Sequence, residues 1–465
     1  MKKVVSTIVF CVWIIIGRAQ QAPVADSLHW QGQIGAKRIV LTAVKANGHL
    51  TAAWFTSPES SVWQLKADTI ITSGDSLIIK GASYFGSFHG RQSADANELS
   101  GFLYVKETAK PLLLKIVKGL QPVILPQTPR APFTYTSENI VYYSADSSIR
   151  FGGTLTIPEG GKKHPAVVIL SGTGQQDREG TMAGHSMFAV IADYLSRQGI
   201  AVLRVDDRGV NETTGNYFTT TTREFAADAL AGIRYLQSRK EINAAKTGLI
   251  GHSEGGAAAC IAASVSKEVA FVISLSGPGM TGKEVLLLQN EAIVNAAPIT
   301  AENKQRFHAV NKALFSVAYQ YANDTTLEQH MRAAYQQWRK EDSVYIAPLN
   351  KKLTDHFFYP FESYVRQATG PWYRGFISYE PSKVFPLIKV PVLAINGDKD
   401  IISVGAPNLN GFKQYVKPRL LQTWLVPGLN HLYQHCTTCT TSEYAELSET
   451  FAPEVLERMV RFIKH

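Results

Sequence analysis

The stretch Gly251-His252-Ser253-Glu254-Gly255-Gly256 sets a serine between two ionisable side chains and fences the group with glycine. It follows the apolar run Thr247-Gly248-Leu249-Ile250 and leads into Ala257-Ala258-Ala259-Cys260-Ile261, so it lies where a strand gives way to a helix. A sharp strand-to-helix turn needs glycine beside the serine, because any side chain there would collide with the strand or helix next to it. Ser253 is therefore the candidate nucleophile, with Gly251 and Gly255 as the glycines of the turn. A hydroxyl is a weak nucleophile near neutral pH. It needs a base, and the base needs an acid that fixes its orientation.

Residues that could fill both roles come late in the chain. The apolar run Val390 to Asn396 leads into Gly397-Asp398-Lys399-Asp400, and the run Gln422 to Val426 leads into Pro427-Gly428-Leu429-Asn430-His431. Read as strands, these place an acid and a histidine just beyond strand C-termini, in the chain order serine, acid, histidine. His431 is the candidate base and His435 its alternative. Asp400 is the preferred acid, since a short turn is needed to carry the carboxylate to the imidazole; Asp398 is the alternative. His252 adjoins the serine, but its side chain points elsewhere if the turn forms.

Acyl transfer also needs donors aimed at the developing oxyanion. The segment Ser171-Gly172-Thr173-Gly174-Gln175-Gln176-Asp177-Arg178 follows the apolar run that starts at His164. Backbone N–H groups of Thr173 and Glu254 are the candidate oxyanion donors. The segment carries neither of the glycine-rich phosphate-binding patterns. Asp206-Asp207-Arg208-Gly209 ends the next run and reads as a structural ion pair rather than as catalytic groups.

The elements that would position these residues are α/β in character. Strands are expected at His164–Ser171, Ala201–Asp206, Gly248–His252, Val269–Leu275, Val390–Asn396 and Gln422–Val426. Helices are expected at Phe188–Gln198, Thr222–Ser238, Gly255–Ser266 and Pro453–Ile463. Near-continuous apolar strands alternating with helices indicate a mostly parallel sheet covered on both faces. Between Pro278 and Val390 lie about 110 residues with mostly helical periodicity, far more than a usual connection. They read as a helical lid, about 279–388, over the edge of the sheet where open α/β sheets bind ligands.

Residues 22–130 read differently, as short strands in a small sandwich or barrel. Arg38–Val44 faces His49–Phe55 across Ala46-Asn47-Gly48, a strong hairpin signal. Thr69–Ile71 and Leu77–Lys80 flank Ser73-Gly74-Asp75, and Gly101–Val105 and Leu112–Ile116 flank Ala109-Lys110-Pro111. Pro122, Pro126, Pro129 and Pro132 then mark a linker to a catalytic domain at 135–465.

Taken together, these pieces make the C-terminal two-thirds of the chain resemble the α/β-hydrolase superfamily. More narrowly, they look like exported bacterial esterases related to dienelactone hydrolases and S9/S33 peptidase-like hydrolases. The resemblance rests on Ser171–Arg178, Asp207-Arg208-Gly209-Val210, Gly251–Gly256, Asn396–Asp400 and Asn430-His431-Leu432. It implies an α/β-hydrolase fold with Ser253 as nucleophile, Asp400 as orienting acid, His431 as base and oxyanion amides at Thr173 and Glu254. Asn211-Glu212-Thr213-Thr214-Gly215 departs from relatives, which often have a shorter Gly-Ser-rich continuation there. The resemblance does not extend to the N-terminal β segment.

The bulk numbers fit a globular two-domain chain: 465 residues, 45% hydrophobic and 18% charged. Residues 1–19 read as a signal peptide, with Lys2 and Lys3 ahead of the apolar run Val4–Ile16 and small residues around Arg18. Its removal lowers the formal net charge from +9 to +6, with no block of basic residues, which gives nucleic-acid binding little support. The run is short for a bilayer span, so a periplasmic or secreted location follows, without stable membrane insertion. Cys436 and Cys439 form a CxxC pair that suits a local disulfide in an exported protein. The resulting expectation is a serine hydrolase of small to medium carboxylic esters, with no cofactor or metal. The alternatives are a peptidase or aminopeptidase taking short peptides, with Glu254 a possible amine anchor, and a non-catalytic binding protein on the same fold.

Overall fold

The computed structural model describes residues 27–465 apart from 36, 47–48, 58–61, 82–85, 106–107, 119–124, 162 and 348–360. The expected signal peptide, the Asn47-Gly48 turn and Pro122 lie outside the described residues. The N-terminal unit is a nine-stranded antiparallel sheet: β1 (Ser27–Ile34), β2 (Lys37–Ala46), β3 (His49–Ser57), β4 (Val62–Lys66), β5 (Thr69–Ser73), β6 (Ser76–Lys80), β7 (Ser87–Gln92), β8 (Glu98–Val105) and β9 (Thr108–Val117). Spatial order is β4-β3-β2-β1-β9-β8-β7-β6-β5, so the two edge strands are consecutive in the chain. Between them, the Ala67 N–H donates to Ala53 O in β3 and the Asp68 N–H to Lys80 O in β6. The meander thus curls on itself as a barrel, which removes the exposed edges of an open sheet. Its interior is filled by Trp30, Leu41, Phe55, Ile79, Phe88 and Leu114, all fully buried.

One expected turn is corrected. Ala109-Lys110-Pro111 lies inside β9, where Pro111 pairs with Phe102. Proline is tolerated there because the recorded β1–β9 pairing runs from Val117 only to Lys115, so no strand asks Pro111 for the N–H it lacks.

The second sheet has eight strands in the order β10-β11-β15-β12-β16-β17-β18-β19. These are β10 (Tyr135–Tyr143), β11 (Arg150–Pro158), β12 (His164–Leu170), β15 (Ala201–Val205), β16 (Ile242–His252), β17 (Val272–Leu275), β18 (Val392–Gly397) and β19 (Leu421–Val426). A two-residue ribbon, β13 (Thr181–Met182) and β14 (His185–Ser186), lies outside it. From β15 to β19 every neighbour is parallel, and β10 and β11 add an antiparallel edge. That edge escapes the sequence reading, although Ile140 and Tyr142 alternate with exposed neighbours as a half-buried strand should.

Helices cover both faces. Against one, α1 (Met187–Arg197) and α11 (Pro453–Lys464) pack Ile191, Leu195, Val455 and Met459 onto Val167, Ile250 and Ile395. Against the other, α2 (Thr222–Ser238), α3 (Glu254–Val265) and α10 (Gly405–Tyr415) pack Ile233, Ala258 and Phe412 onto Val168, Leu249 and Ala394. Helix α2 starts where Thr221 and Glu224 form a reciprocal capping box.

Between β17 and β18 the chain leaves the sheet through α4 (Gly282–Ala296), α5 (Ala301–Gln320), α6 (Leu327–Ile346), α7 (Phe361–Ala368), α8 (Pro371–Ile377) and α9 (Pro381–Val384). This helical insertion has its own core, including Leu286, Leu314, Phe315, Met331 and Tyr373. Helices α5 and α6 are joined by a buried, two-pronged pair, Arg306 Nε and Nη2 to Asp342 Oδ1 and Oδ2, both at 2.5 Å. Asp342→Ala would leave the guanidinium buried without its counter-charge. The expected loss is about 3–5 kcal/mol of stability, read as a fall in the urea midpoint at unchanged slope.

Candidate active site

Ser253 follows β16 directly and precedes the first residue of α3, with φ 53° and ψ −122°. A non-glycine residue rarely occupies this region, and holding it there costs of order 1–3 kcal/mol. Its N–H donates to Leu275 O at 2.8 Å, which ties the turn to β17. The glycines around it are fixed by space. A Cβ on Gly251 would lie 2.1 Å from Gly255 O, one on Gly255 2.5 Å from both Leu170 O and Ser171 O, and one on Gly256 2.7 Å from Gly277 Cα.

The loops after β18 and β19 bring Asp400 and His431 to the same edge. Asp400 Oδ1 accepts the N–H groups of Ile402 (2.8 Å) and Ser403 (2.7 Å), which leaves Oδ2 to meet His431 Nδ1 at 2.8 Å. Both residues are 4% exposed, so this contact is shielded from water. With Nδ1 turned to the carboxylate, Nε2 is the ring nitrogen left for chemistry. Ser253 and His431 line one cleft of about 670 Å³ with Gly172, Thr173, Ser276 and Ile402 on the sheet side and Leu286, Trp372 and Phe376 on the insertion side. Among the described residues the Ser253 hydroxyl makes no hydrogen bond, to His431 or to any other group.

The alternatives lie elsewhere. Asp398 Oδ1 accepts the Gly428 N–H at 2.6 Å and so braces the turn between two loops. His435 is exposed and paired with Glu449 and Glu454. His252 is fully buried, and its Nε2 donates to His431 O at 2.9 Å. A carbonyl can only accept, so Nε2 carries the proton and Nδ1 is bare. Burial pushes its pKa down to about 3. It stays neutral and props the loop of the candidate base.

The candidate oxyanion loop, 171–176, is held at four points. Ser171 Oγ donates to Asp207 Oδ1 at 2.5 Å, and the Gln176 N–H donates to Oδ2 at 2.8 Å. The Gly174 N–H donates to the Tyr217 hydroxyl at 2.6 Å, and Thr173 Oγ1 to Glu254 Oε2 at 2.8 Å. Gly172 lets this loop close on the serine, since a Cβ there would lie 3.0 Å from Ser253 Cβ. Among the described residues neither the Thr173 nor the Glu254 N–H donates to a protein acceptor. Desolvation raises the half-buried Asp207 carboxyl well above its usual range. The segment Asp206-Asp207-Arg208 takes part in structural ion pairs, each with a partner outside it. Asp206 bonds Arg178, Arg208 bonds Asp228, and Asp207 bonds the oxyanion loop.

Tyr217, Asp207 and the carboxylate of Glu254 hold this loop, and sequence reasoning misses these bonds because each reaches a partner distant in the chain. Cys436 and Cys439 form a disulfide just beyond His431, and the Cys436 N–H donates to Gly428 O.

The sequence profile of the alpha/beta hydrolase fold matches residues 165–434, from the first parallel strand to the loop of His431. The chain belongs to that family. Esterase EstD of Thermotoga maritima is 36% identical over 103 residues, or 22% of this chain and 24% of that enzyme. The alignment therefore spans about a quarter of the curated relative's length. Among solved structures, the Pyrococcus furiosus esterase Pf2001 is 16% identical with a TM-score of 0.42, covering 74% of this chain and 98% of that one. The alpha/beta hydrolase GrgF from Penicillium is 16% identical with a TM-score of 0.43, covering 71% and 98%.

The buried His252 makes stability depend on acidity in this alpha/beta hydrolase. Its folded pKa of about 3 lies below the ordinary 6.5, so the unfolded chain takes up the proton first. Its contribution is complete above about pH 6.5 and is lost as pH falls towards 3, with a slope approaching about 1.4 kcal/mol per pH unit. Urea unfolding between pH 7 and pH 4.5 is expected to be less pH-dependent in His252→Phe than in wild type by about that slope.

Proposed function

We propose that this alpha/beta hydrolase is an esterase that cleaves carboxylic esters of small to medium acyl groups through a Ser253–His431–Asp400 triad. The observation that carries this reading is the meeting, in one cleft, of a strained serine and a histidine whose far nitrogen is bonded to a buried aspartate. His431 Nε2 takes the Ser253 proton as Oγ attacks the ester carbonyl. The N–H groups of Thr173 and Glu254 receive the oxyanion. Asp400 fixes the tautomer and stabilises the imidazolium, which then protonates the leaving alcohol. Water, activated by His431, releases the acid from the acyl-enzyme. No step calls on a metal or cofactor. The 36% identity to a named esterase over part of the chain supports the choice of ester.

The aminopeptidase reading needs a free acid to hold a substrate amine. Glu254 is the acid beside the serine, but hydroxyl and indole donors already occupy its carboxylate. The apolar insertion-side wall of Leu286, Trp372 and Phe376 suits an acyl or alcohol group instead. Export to the periplasm or beyond is part of the proposal, supported by the N-terminal pattern in the sequence and by the Cys436–Cys439 disulfide. Among the described residues no helix is long and apolar enough to cross a membrane.

A panel of p-nitrophenyl esters of rising chain length, with aminoacyl p-nitroanilides beside it, tests the reading. Turnover is expected on the short esters and to vanish in Ser253→Ala. Asp400→Asn is expected to lower kcat about 10⁴-fold, by analogy with other triads. Asp398→Asn is expected to stay within a few-fold of wild type. Anilide cleavage exceeding ester cleavage would overturn the esterase assignment, and activity surviving in Ser253→Ala would overturn the triad.

A further inference from the structure

Glu254 is 3% exposed, yet its carboxylate accepts from three separate side chains. Oε2 accepts from Thr173 Oγ1 at 2.8 Å, and Oε1 accepts from Thr222 Oγ1 at 2.6 Å. The Trp372 indole N–H lies 3.0 Å from both oxygens. The three donors belong to three separate elements: the oxyanion loop, the first residue of α2, and α8 of the helical insertion. They stand 81, 32 and 118 residues from Glu254 in the chain. None of the three is charged, so the carboxylate is compensated by dipoles alone. Removing such an acceptor leaves three buried donors unsatisfied at once.

Two of these donors belong to residues that line the cleft. Thr173 carries a candidate oxyanion amide, and Trp372 forms part of the wall supplied by the insertion, where Phe376 stacks on it at 5.8 Å. Glu254 is itself the first residue after the nucleophile, on a backbone that has no freedom to shift. Its carboxylate therefore transmits the position of the elbow to both walls.

We propose that the Glu254 carboxylate is a positioning group that fastens the oxyanion loop and the insertion wall to the nucleophile turn. The proposal rests on the esterase reading for its kinetic part only. With the fastening intact, the Thr173 amide stands at a fixed distance from Ser253 and Trp372 closes the acyl side. With it lost, the oxyanion donor moves and the wall loosens together.

The test uses the full mature chain and two readouts, one of which needs no activity. In Glu254→Leu, hydrogen exchange of the backbone amides in 172–176 and 371–377 is expected to quicken at least ten-fold, while 257–263 in α3 keep wild-type rates. On p-nitrophenyl acetate, kcat of this variant is expected to fall roughly 10²–10³-fold, the usual effect of losing one oxyanion donor. Thr173→Val and Trp372→Phe each cut one bond without touching the carboxylate, and they keep the test decisive should Glu254→Leu not fold. Thr173→Val is expected to quicken exchange only in 172–176, and Trp372→Phe only in 371–377. Combined with Glu254→Leu, Thr173→Val is expected to add less than two-fold to the loss in kcat, because both remove one shared contact.

Unchanged exchange in both segments, or fully multiplicative kinetic losses, would overturn the proposal. Should wild type leave every ester intact while Glu254→Leu still quickens exchange in both segments, the esterase reading falls and the fastening stands.

Discussion

Everything at the cleft depends on the backbone of Ser253. A left-handed residue between a strand and a helix is unfavourable by itself, and it persists because its surroundings permit nothing else. The Leu275 carbonyl holds its N–H, and Gly251, Gly255 and Gly256 leave no space for a looser turn. This posture also dictates where the neighbours go. His252 is sent beneath the turn to the carbonyl of His431, and Glu254 is sent between the oxyanion loop and the insertion. One strained residue thus sets the direction of both flanking side chains, and each becomes a tie to a different part of the site.

The parallel sheet turns that local constraint into a site. Strands β16, β17, β18 and β19 are spatial neighbours with one direction, so the loops that follow them all emerge at one edge. Ser253 follows β16, the helical insertion leaves β17, Asp400 follows β18 and His431 follows β19. Each loop is stiffened by its own side chains. Asn430 Oδ1 accepts the Leu432 and Gln434 N–H groups, and Asp400 accepts those of Ile402 and Ser403. The Asp400–His431 contact therefore joins two loops that are already rigid. A short charge-assisted bond costs little entropy when its partners are held in this way.

The parallel core was legible because its strands are nearly unbroken apolar runs and its helices carry a 3.6-residue period, as in α2 with its Thr221–Glu224 cap. The residues at the cleft were legible because turn chemistry is local: glycines flank Ser253, and short turns follow β18 and β19. Three features were not legible, each for a physical reason. The edge pair β10 and β11 includes Gly152-Gly153, which reads as a break, yet Gly153 needs the lack of a side chain because a Cβ would lie 2.7 Å from Arg204 O. Pro111 signals a turn wherever a strand is expected to be paired on both sides, and sequence cannot tell that its partner strand stops short. The ties of Glu254, Asp207 and Tyr217 span tens of residues or more, and no local pattern encodes a hydrogen bond to a distant loop.

The distribution of charge around the oxyanion loop explains why such ties are made by neutral donors. The arginines nearest to it are already committed, Arg178 to Asp206 and Glu212, and Arg208 to Asp228. The carboxyls on its two sides, half-buried Asp207 and buried Glu254, face hydroxyl, amide and indole groups, and desolvation raises both of them. A free cation in this position would bind an acyl oxygen in the ground state as strongly as in the transition state, which lowers KM without raising kcat. In the proposed ester cleavage, fixed N–H dipoles from a rigid loop would favour the oxyanion over the carbonyl, because they are aimed at the place where charge develops rather than attracted to any charge at hand. The cost of such a scheme is the desolvation of two carboxyls, and the network of donors around them offsets it. The two acids are thus part of the means by which a loop of backbone amides is kept rigid beside a strained serine.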